Sequence, residues 1–208
     1  LDLGDYRREA PHWFWSSFPK NYSYPGVSKV DHIRLRELGL AAGLAQALVD
    51  TICRDLEFGA DIGCRGKVRA SSRSSNAPSS YEFGHQVTDA IADWVKKGFA
   101  YGPVDLCDIP SDAKVNGIMC REKPNGAVWV ILNLTAPEGC AVNEGINADE
   151  FPATMSSTTQ WLRVLNKAGR RCKINKCDWS DAYKHIAVRE QDLALQWFSW
   201  LGKGFCEL

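Results

Sequence analysis

The chain has 208 residues, 45% of them hydrophobic and 24% charged, which suits one sizeable domain or a domain with an extension. Its 25 basic and 25 acidic residues cancel, so net charge gives no whole-molecule case for a polyanionic partner. No signal segment is evident and no apolar run is long enough to span a bilayer, so no membrane partner is expected. The charge is nevertheless uneven. Residues 151–177 carry Arg163, Lys167, Arg170, Arg171, Lys173 and Lys176 without an acid, and residues 62–81 carry Arg65, Lys67, Arg69 and Arg73 without one. Residues 135–160 are purely acidic, through Glu138, Glu144, Asp149 and Glu150. Any one such patch is more often a solvated face than a ligand site. The eight cysteines form no Cys-x-x-Cys pair and the four histidines are scattered, which argues against a zinc site. They read as reduced thiols, several buried in strands, of a protein inside the cell, in cytoplasm or nucleus.

Residues 1–30 are rich in aromatics and prolines without periodicity, and read as a loop-rich segment. From Ile33 to Phe58 the pattern is helical. Leu35, Leu38, Ala42, Ala45, Val49, Ile52 and Leu56 form one stripe, Asp31 is the N-cap and Gly59 the stop, with Gly39 and Gly43 as weak points inside. The run Arg69–Ser80, RASSRSSNAPSS, reads as a basic, mobile linker, dividing an extension (1–80) from a main domain (81–208). Val87, Ile91, Trp94 and Val95 predict an amphipathic helix closed by Lys96-Lys97-Gly98. An irregular stretch rich in Asp and Pro follows, through Asp112.

Gly117–Glu122 and Ala127–Leu134 read as two strands of a hairpin, joined by Lys123-Pro124-Asn125-Gly126. Thr158–Ala168 is a short helix with Trp161, Leu162 and Leu165 on one side, closed by Gly169. Cys172–Asp178 and Ile186–Val188 read as strand-like segments around a polar turn. Leu195–Leu201 and Phe205–Leu208 read as a final hairpin about Gly202-Lys203-Gly204, its last strand an unpaired edge exposing Trp197, Phe198, Trp200 and Phe205. The order predicts an α+β fold with an antiparallel sheet.

The stretch Lys173–Val188, KINKCDWSDAYKHIAV, holds the chemistry. Asp178 ends a strand-like run, and an acid there requires a metal or a hydrogen-bonding partner. Spacing alone favours an ordinary capped turn, with Asp178 or Ser180 accepting backbone N–H bonds.

Taken together with the hairpin, the stretch changes meaning. KPNGAVWVILNL followed downstream by KCDWSDAYKHIAV resembles the reverse transcriptases of retroelements, in their fingers hairpin and first palm motif. The surrounding NLTAPEG, VNEGI and DAYKHIAV are similar to tyrosine-recombinase retrotransposons of the DIRS type. The resemblance covers residues 81–208 and implies a partial right-hand polymerase, fingers plus the start of the palm, with an N-terminal helical extension. It implies RNA-directed DNA synthesis by phosphoryl transfer with two magnesium ions in the intact protein. Asp178 would be catalytic and bind both ions, and the main-chain carbonyl of Trp179 would bind one. Asp181 and Ala182 would lie against the incoming deoxynucleoside triphosphate, and Lys123 would reach it from the fingers. Tyr183 would sit under the deoxyribose and exclude a 2′-hydroxyl. An RNA or DNA template-primer would be held through its phosphates, with Lys167, Arg170, Arg171 and Lys173 as candidates. The ordinary alternatives are a solvated tip for Lys123 and core packing for Tyr183.

Two departures stand against that pattern. Trp129 occupies the position where the family has an Arg, and Trp cannot offer a charged fork of hydrogen bonds. No aromatic-x-Asp-Asp sequence occurs, so the remaining metal-binding carboxylates are not here. The chain starts with Leu and stops within an apolar strand pattern, which reads as a fragment lacking the rest of the palm, the thumb and other element-encoded domains, and inactive alone. The alternative is a catalytically dead remnant that binds nucleic acid or a protein partner.

Overall fold

The computed structural model describes residues 28, 30–66, 73–150, 157–174 and 181–208. Two helices open the described chain, α1 (His32–Ala41) and α2 (Gln46–Phe58). The expected single helix over 33–58 is broken. Asp31 caps α1 as read, its carboxylate accepting from the Arg34 N–H at 2.9 Å, but Gly43 takes φ 78° and turns the chain. The break resets the apolar phase. In α2 the buried side is Val49, Cys53 and Leu56, while Leu38 and Ile52 of the predicted stripe stay exposed. Gly59, at φ 89°, ends α2 as expected.

The second half of the Ser-rich run is packed rather than mobile. Its residues 73–77 hydrogen-bond to the backbone of Val115 and Ile118 and lead into a short helix, α3 (Pro78–Glu82). Helix α4 (Gly84–Lys97) follows, closed by Gly98 in the left-handed region. The Asp- and Pro-rich stretch read as irregular contains a strand, β1 (Ala100–Asp105). The predicted hairpin forms from β2 (Val115–Glu122) and β3 (Val128–Asn133), and helix α5 (Thr158–Ala168) appears with a complete Ser157/Gln160 capping box. The chain closes with β4 (Trp197–Trp200) and β5 (Lys203–Glu207).

The five strands form one sheet in the order β1-β5-β4-β2-β3. It is mixed, not wholly antiparallel, because β4 runs parallel to β2 at Val115–Trp197 and Asn116–Phe198. The α+β class stands. The terminal hairpin is where expectation and structure differ most. β5 is no edge: it pairs with β1 on one side and β4 on the other. Trp197, Phe198, Trp200 and Phe205 are buried, not exposed. A strand covered on both faces reads as a continuous apolar run, and that is what this hairpin is.

Helix α4 covers one face of the sheet. Val87, Ile91, Trp94 and Val95 pack with Ile118, Cys120, Phe198, Trp200 and Phe205. Fully burying an aliphatic or aromatic side chain of this kind contributes about 1.5–3 kcal/mol. The Trp200 indole N–H in this cluster is satisfied, donating to Thr88 Oγ1 at 2.8 Å. The opposite face gathers Ile109, Ala113, Val115, Trp197 and Cys206 beneath the β1–β2 connection. Burial pushes the Cys120 thiol up to about 11 and the Cys206 thiol further above its usual range.

Residues 73–79 do something a linker does not. The Ser74 N–H donates to the Val115 carbonyl, whereas Asn76 Oδ1 accepts from the Ile118 N–H at 2.9 Å and Ser79 Oγ from the Cys120 N–H at 3.1 Å. Residues 115 and 118 turn their backbone groups to opposite edges of β2, so the segment crosses the strand at Gly117. A Cβ there would lie 2.4 Å from the Ser75 carbonyl oxygen. Past Asn116, β4 leaves β2, and the Asn76 amide bridges the gap by also donating to the Ser199 carbonyl at 3.0 Å.

The extension is stitched to the end of the chain. Ala60 bridges Val188, the Ile62 N–H donates to Asp192, and a Cβ on Gly59 would meet the Arg189 backbone at 2.5 Å.

Candidate functional site

The polar turn is described from Asp181 onward. Asp178 and Trp179, expected as the metal ligands, lie outside the described residues. Of the flanking segments read as strands, Cys172, Lys173 and Ile174 are not in a strand, and Ile186–Val188 contributes only the single bridge to Ala60. Between them Ala182–His185 forms one turn of 3-10 helix, entered through Asp181 at φ 53°. The left-handed conformation is accessible to Asp at modest cost, and it reverses the chain within one residue.

Three side chains fasten this turn. The Asp181 carboxylate lies 3.7 Å from Lys97 Nζ, which also pairs with Asp93 at 2.6 Å. Asp93 and, behind it, Asp181 raise the Lys97 pKa above its usual value, holding the cation charged. Lys184 runs inward, with Nζ 3.7 Å from the centroid of the Trp94 ring and an ion pair to Glu207 at the end of β5. The His185 ring meets Phe99 edge-on at 5.1 Å. With 181, 184 and 185 directed to the α4–β1 corner, position 183 faces outward. Tyr183 is 93% exposed. Core packing, the ordinary alternative for this tyrosine, is thereby excluded.

Lys123 belongs to the other hairpin. The turn there is as read: the Lys123 N–H donates to the Ala127 carbonyl at 2.7 Å, the Gly126 N–H to the Lys123 carbonyl at 2.9 Å, and Gly126 takes φ 79°. Lys123 is not merely a solvated tip, because its ammonium lies 4.7 Å from the centroid of the Trp129 ring. Trp129 itself pairs in register with Arg121. Reading by single motif missed Arg121, although the turn fixes the register and places Arg121, Lys123 and Trp129 on one face. Lys97 and Lys184 were missed because nothing local announces a partner on a distant helix.

Asp181, Ala182 and Tyr183 are thus grouped on one turn, and Lys123 sits at the tip of the β2–β3 hairpin. Among the described residues no group of three or more His, Cys, Asp or Glu is gathered for a metal ion. The Asp181 carboxylate faces Lys97 instead. The described residues do not by themselves compose a magnesium site. Among them, no helix is long and apolar enough to cross a membrane.

No family model and no curated protein matches the chain. Solved structures of the prototype foamy virus protease-reverse transcriptase are similar to it in part. The native crystal structure is 17% identical with a TM-score of 0.39, over 67% of this chain and 16% of that one. A selenomethionine-labelled CSH mutant is 13% identical with a TM-score of 0.46, over 87% and 24%. The foamy viral protease-reverse transcriptase in complex with dsDNA is 12% identical with a TM-score of 0.40, over 91% and 39%. The match spans well under half the length of each of these chains. At TM-scores below 0.5 these likenesses carry no functional argument.

Proposed function

We propose that the chain is the fingers and first palm portion of a retroelement reverse transcriptase, DIRS-like in its surrounding text, whose intact protein performs RNA-directed DNA synthesis. The observation that carries this reading is Tyr183, set outward on a fastened turn directly after Asp181 and Ala182. An almost fully exposed tyrosine beside an acidic turn fits a surface that meets a substrate, and its ring is available to a sugar face. In this reading Asp181 and Ala182 lie beside the deoxynucleoside triphosphate and Lys123 approaches it from the hairpin. Asp178 and the Trp179 carbonyl are the proposed magnesium ligands. One carboxylate and one carbonyl do not satisfy two hard octahedral cations, so these 208 residues alone are expected not to extend a primer.

The test is primer extension by a longer form of the protein. Extension should need magnesium and vanish in Asp178→Asn. Persistent synthesis in that variant sinks the assignment.

Trp129 favours a second reading, a remnant that binds nucleic acid or protein without catalysis. An indole with a Lys over its ring stands where the resembled family has a guanidinium. A longer form that binds a primer-template but never extends it would select this reading.

A further inference from the structure

The sheet has two edge strands, β1 and β3, and they are built differently. β1 carries Pro103, shifts register between Tyr101 and Val104, and ends on Asp105. A proline, an irregularity and a charge each keep an edge from pairing further. β3 has none of these. Its register with β2 is unbroken from Val128–Glu122 to Asn133–Gly117, and residues 125–136 contain neither a charge nor a proline. Among the described residues β3 pairs with β2 alone. On its outer face Trp129 is 52% exposed and Ile131 36%. Which backbone groups are open follows from β2. Ile118 and Cys120 donate their N–H groups to Asn76 and Ser79, away from β3. Gly117, Met119 and Arg121 therefore bond to Asn133, Ile131 and Trp129, and the backbone groups of Val128, Val130 and Leu132 point to the free side.

We propose that β3 pairs antiparallel with β3 of a second copy of this chain, about a two-fold axis at Val130. The open backbone groups fix the register. Val130 faces Val130 of the second copy and Val128 faces its Leu132, so all three open residues bond across the axis. A shift of two residues one way calls on Leu134, whose carbonyl already accepts from the Asn143 N–H at 3.0 Å. The opposite shift calls on Gly126, whose N–H already donates to the Lys123 carbonyl at 2.9 Å. The side chains agree with the backbone. Trp129 faces Ile131 of the second copy, and Ile131 faces its Trp129, at the pairs where cross-strand side chains lie closest. On the inner face Val128, Val130 and Leu132, only partly buried against the core, meet their counterparts. The two five-stranded sheets become one, with no charge set against another along the seam. A single strand pair is a smaller interface than a permanent dimer has, so the copies associate and separate with concentration. The dimer does not rest on the polymerase reading.

The experiment is analytical ultracentrifugation of the 208-residue chain from about 1 to about 100 μM, a range suited to a small interface. The chain should pass from monomer to dimer and go no further, because pairing uses up the open edge. Trp129→Glu should weaken the dimer by roughly ten-fold or more, since each dimer loses two Trp–Ile pairs. Adding Ile131→Lys to that variant should restore it, because in this register each Glu faces a Lys of the second copy, and the restored dimer should weaken with salt. Either shifted register would set Glu against Glu or Lys against Lys and would not be rescued. Urea midpoints at the lowest concentration should match the parent, since both positions lie outside the core. Amide hydrogen exchange gives a second readout that needs no variant. Protection of the Val128, Val130 and Leu132 N–H groups should rise with concentration, whereas that of Trp129 and Ile131, already bonded to β2, should not. Four results overturn the proposal: a monomer throughout, open-ended oligomers, a double variant as weak as Trp129→Glu alone, or exchange at Val128, Val130 and Leu132 that ignores concentration.

Discussion

Lys184 is the residue on which the candidate turn depends most. Its ammonium meets the Trp94 ring and Glu207 together, and only 15% of its side chain is exposed. A cation held between a ring and a carboxylate at this burial contributes about 1–2 kcal/mol. Lys184→Ala should lower the urea unfolding free energy by that amount and raise hydrogen exchange across residues 181–187. Tyr183→Ala should behave in the opposite way. At 93% exposure the ring contributes little to folding, so stability should stay within about 0.5 kcal/mol. In an active longer form the same change should instead relax discrimination against ribonucleotides. A loss of stability without any change in nucleotide choice would mean that Tyr183 is structural. The text Asp181-Ala182-Tyr183 named the turn from sequence, but not which of its side chains turns inward. Trp94 and Glu207 decide that, and both are remote in the chain.

Elements were legible where a local rule was sufficient. Lys123-Pro124-Asn125-Gly126 dictated a turn, and α4 and α5 showed their periodicity and their Gly stops. The Ser-rich run was misread because composition speaks of solvation and not of hydrogen-bonding reach. Asn76 and Ser79 use their side chains to continue the ladder of β2 where β4 has left it. Asn76→Ala should cost about 2 kcal/mol, since the Ile118 N–H and the Ser199 carbonyl both lose a partner. Gly117→Ala should cost at least as much. The methyl would have to displace the Ser75 backbone carbonyl, which cannot rotate away as a side chain does. Parent-like urea midpoints in both variants would mean that the segment does not cross β2 as described.

At the scale of the whole molecule, an ion-pair group joins the extension to the segment after the candidate turn. Asp61 pairs with Arg65 and with Arg189 at 2.8 Å, and Arg189 also pairs with the buried Asp192 at 2.8 Å. The Arg65 guanidinium, with the Gly63 N–H and the Arg189 charge, holds the Asp61 carboxyl well below the usual carboxylate range. A carboxyl depressed by folding stabilises the native state above its unfolded value, and that contribution is lost as the pH falls through its folded value. Acidification below the ordinary carboxylate range should therefore loosen residues 59–66 and 187–192 before the sheet. Hydrogen exchange against pH would show this, and loss of protection on raising the pH from neutral instead would contradict it.

The sequence by itself determined the α+β class, the β2–β3 hairpin with its turn, helices α4 and α5, and the acidic turn with its tyrosine. Each rests on interactions between residues close in the chain, where spacing and backbone geometry are enough. Only the tertiary structure decided that β5 lies between β1 and β4, that Trp197, Phe198, Trp200 and Phe205 are core, and that Tyr183 faces outward. Those outcomes depend on partners far apart in sequence. An apolar strand looks the same at an edge as in the middle of a sheet until its neighbours are known.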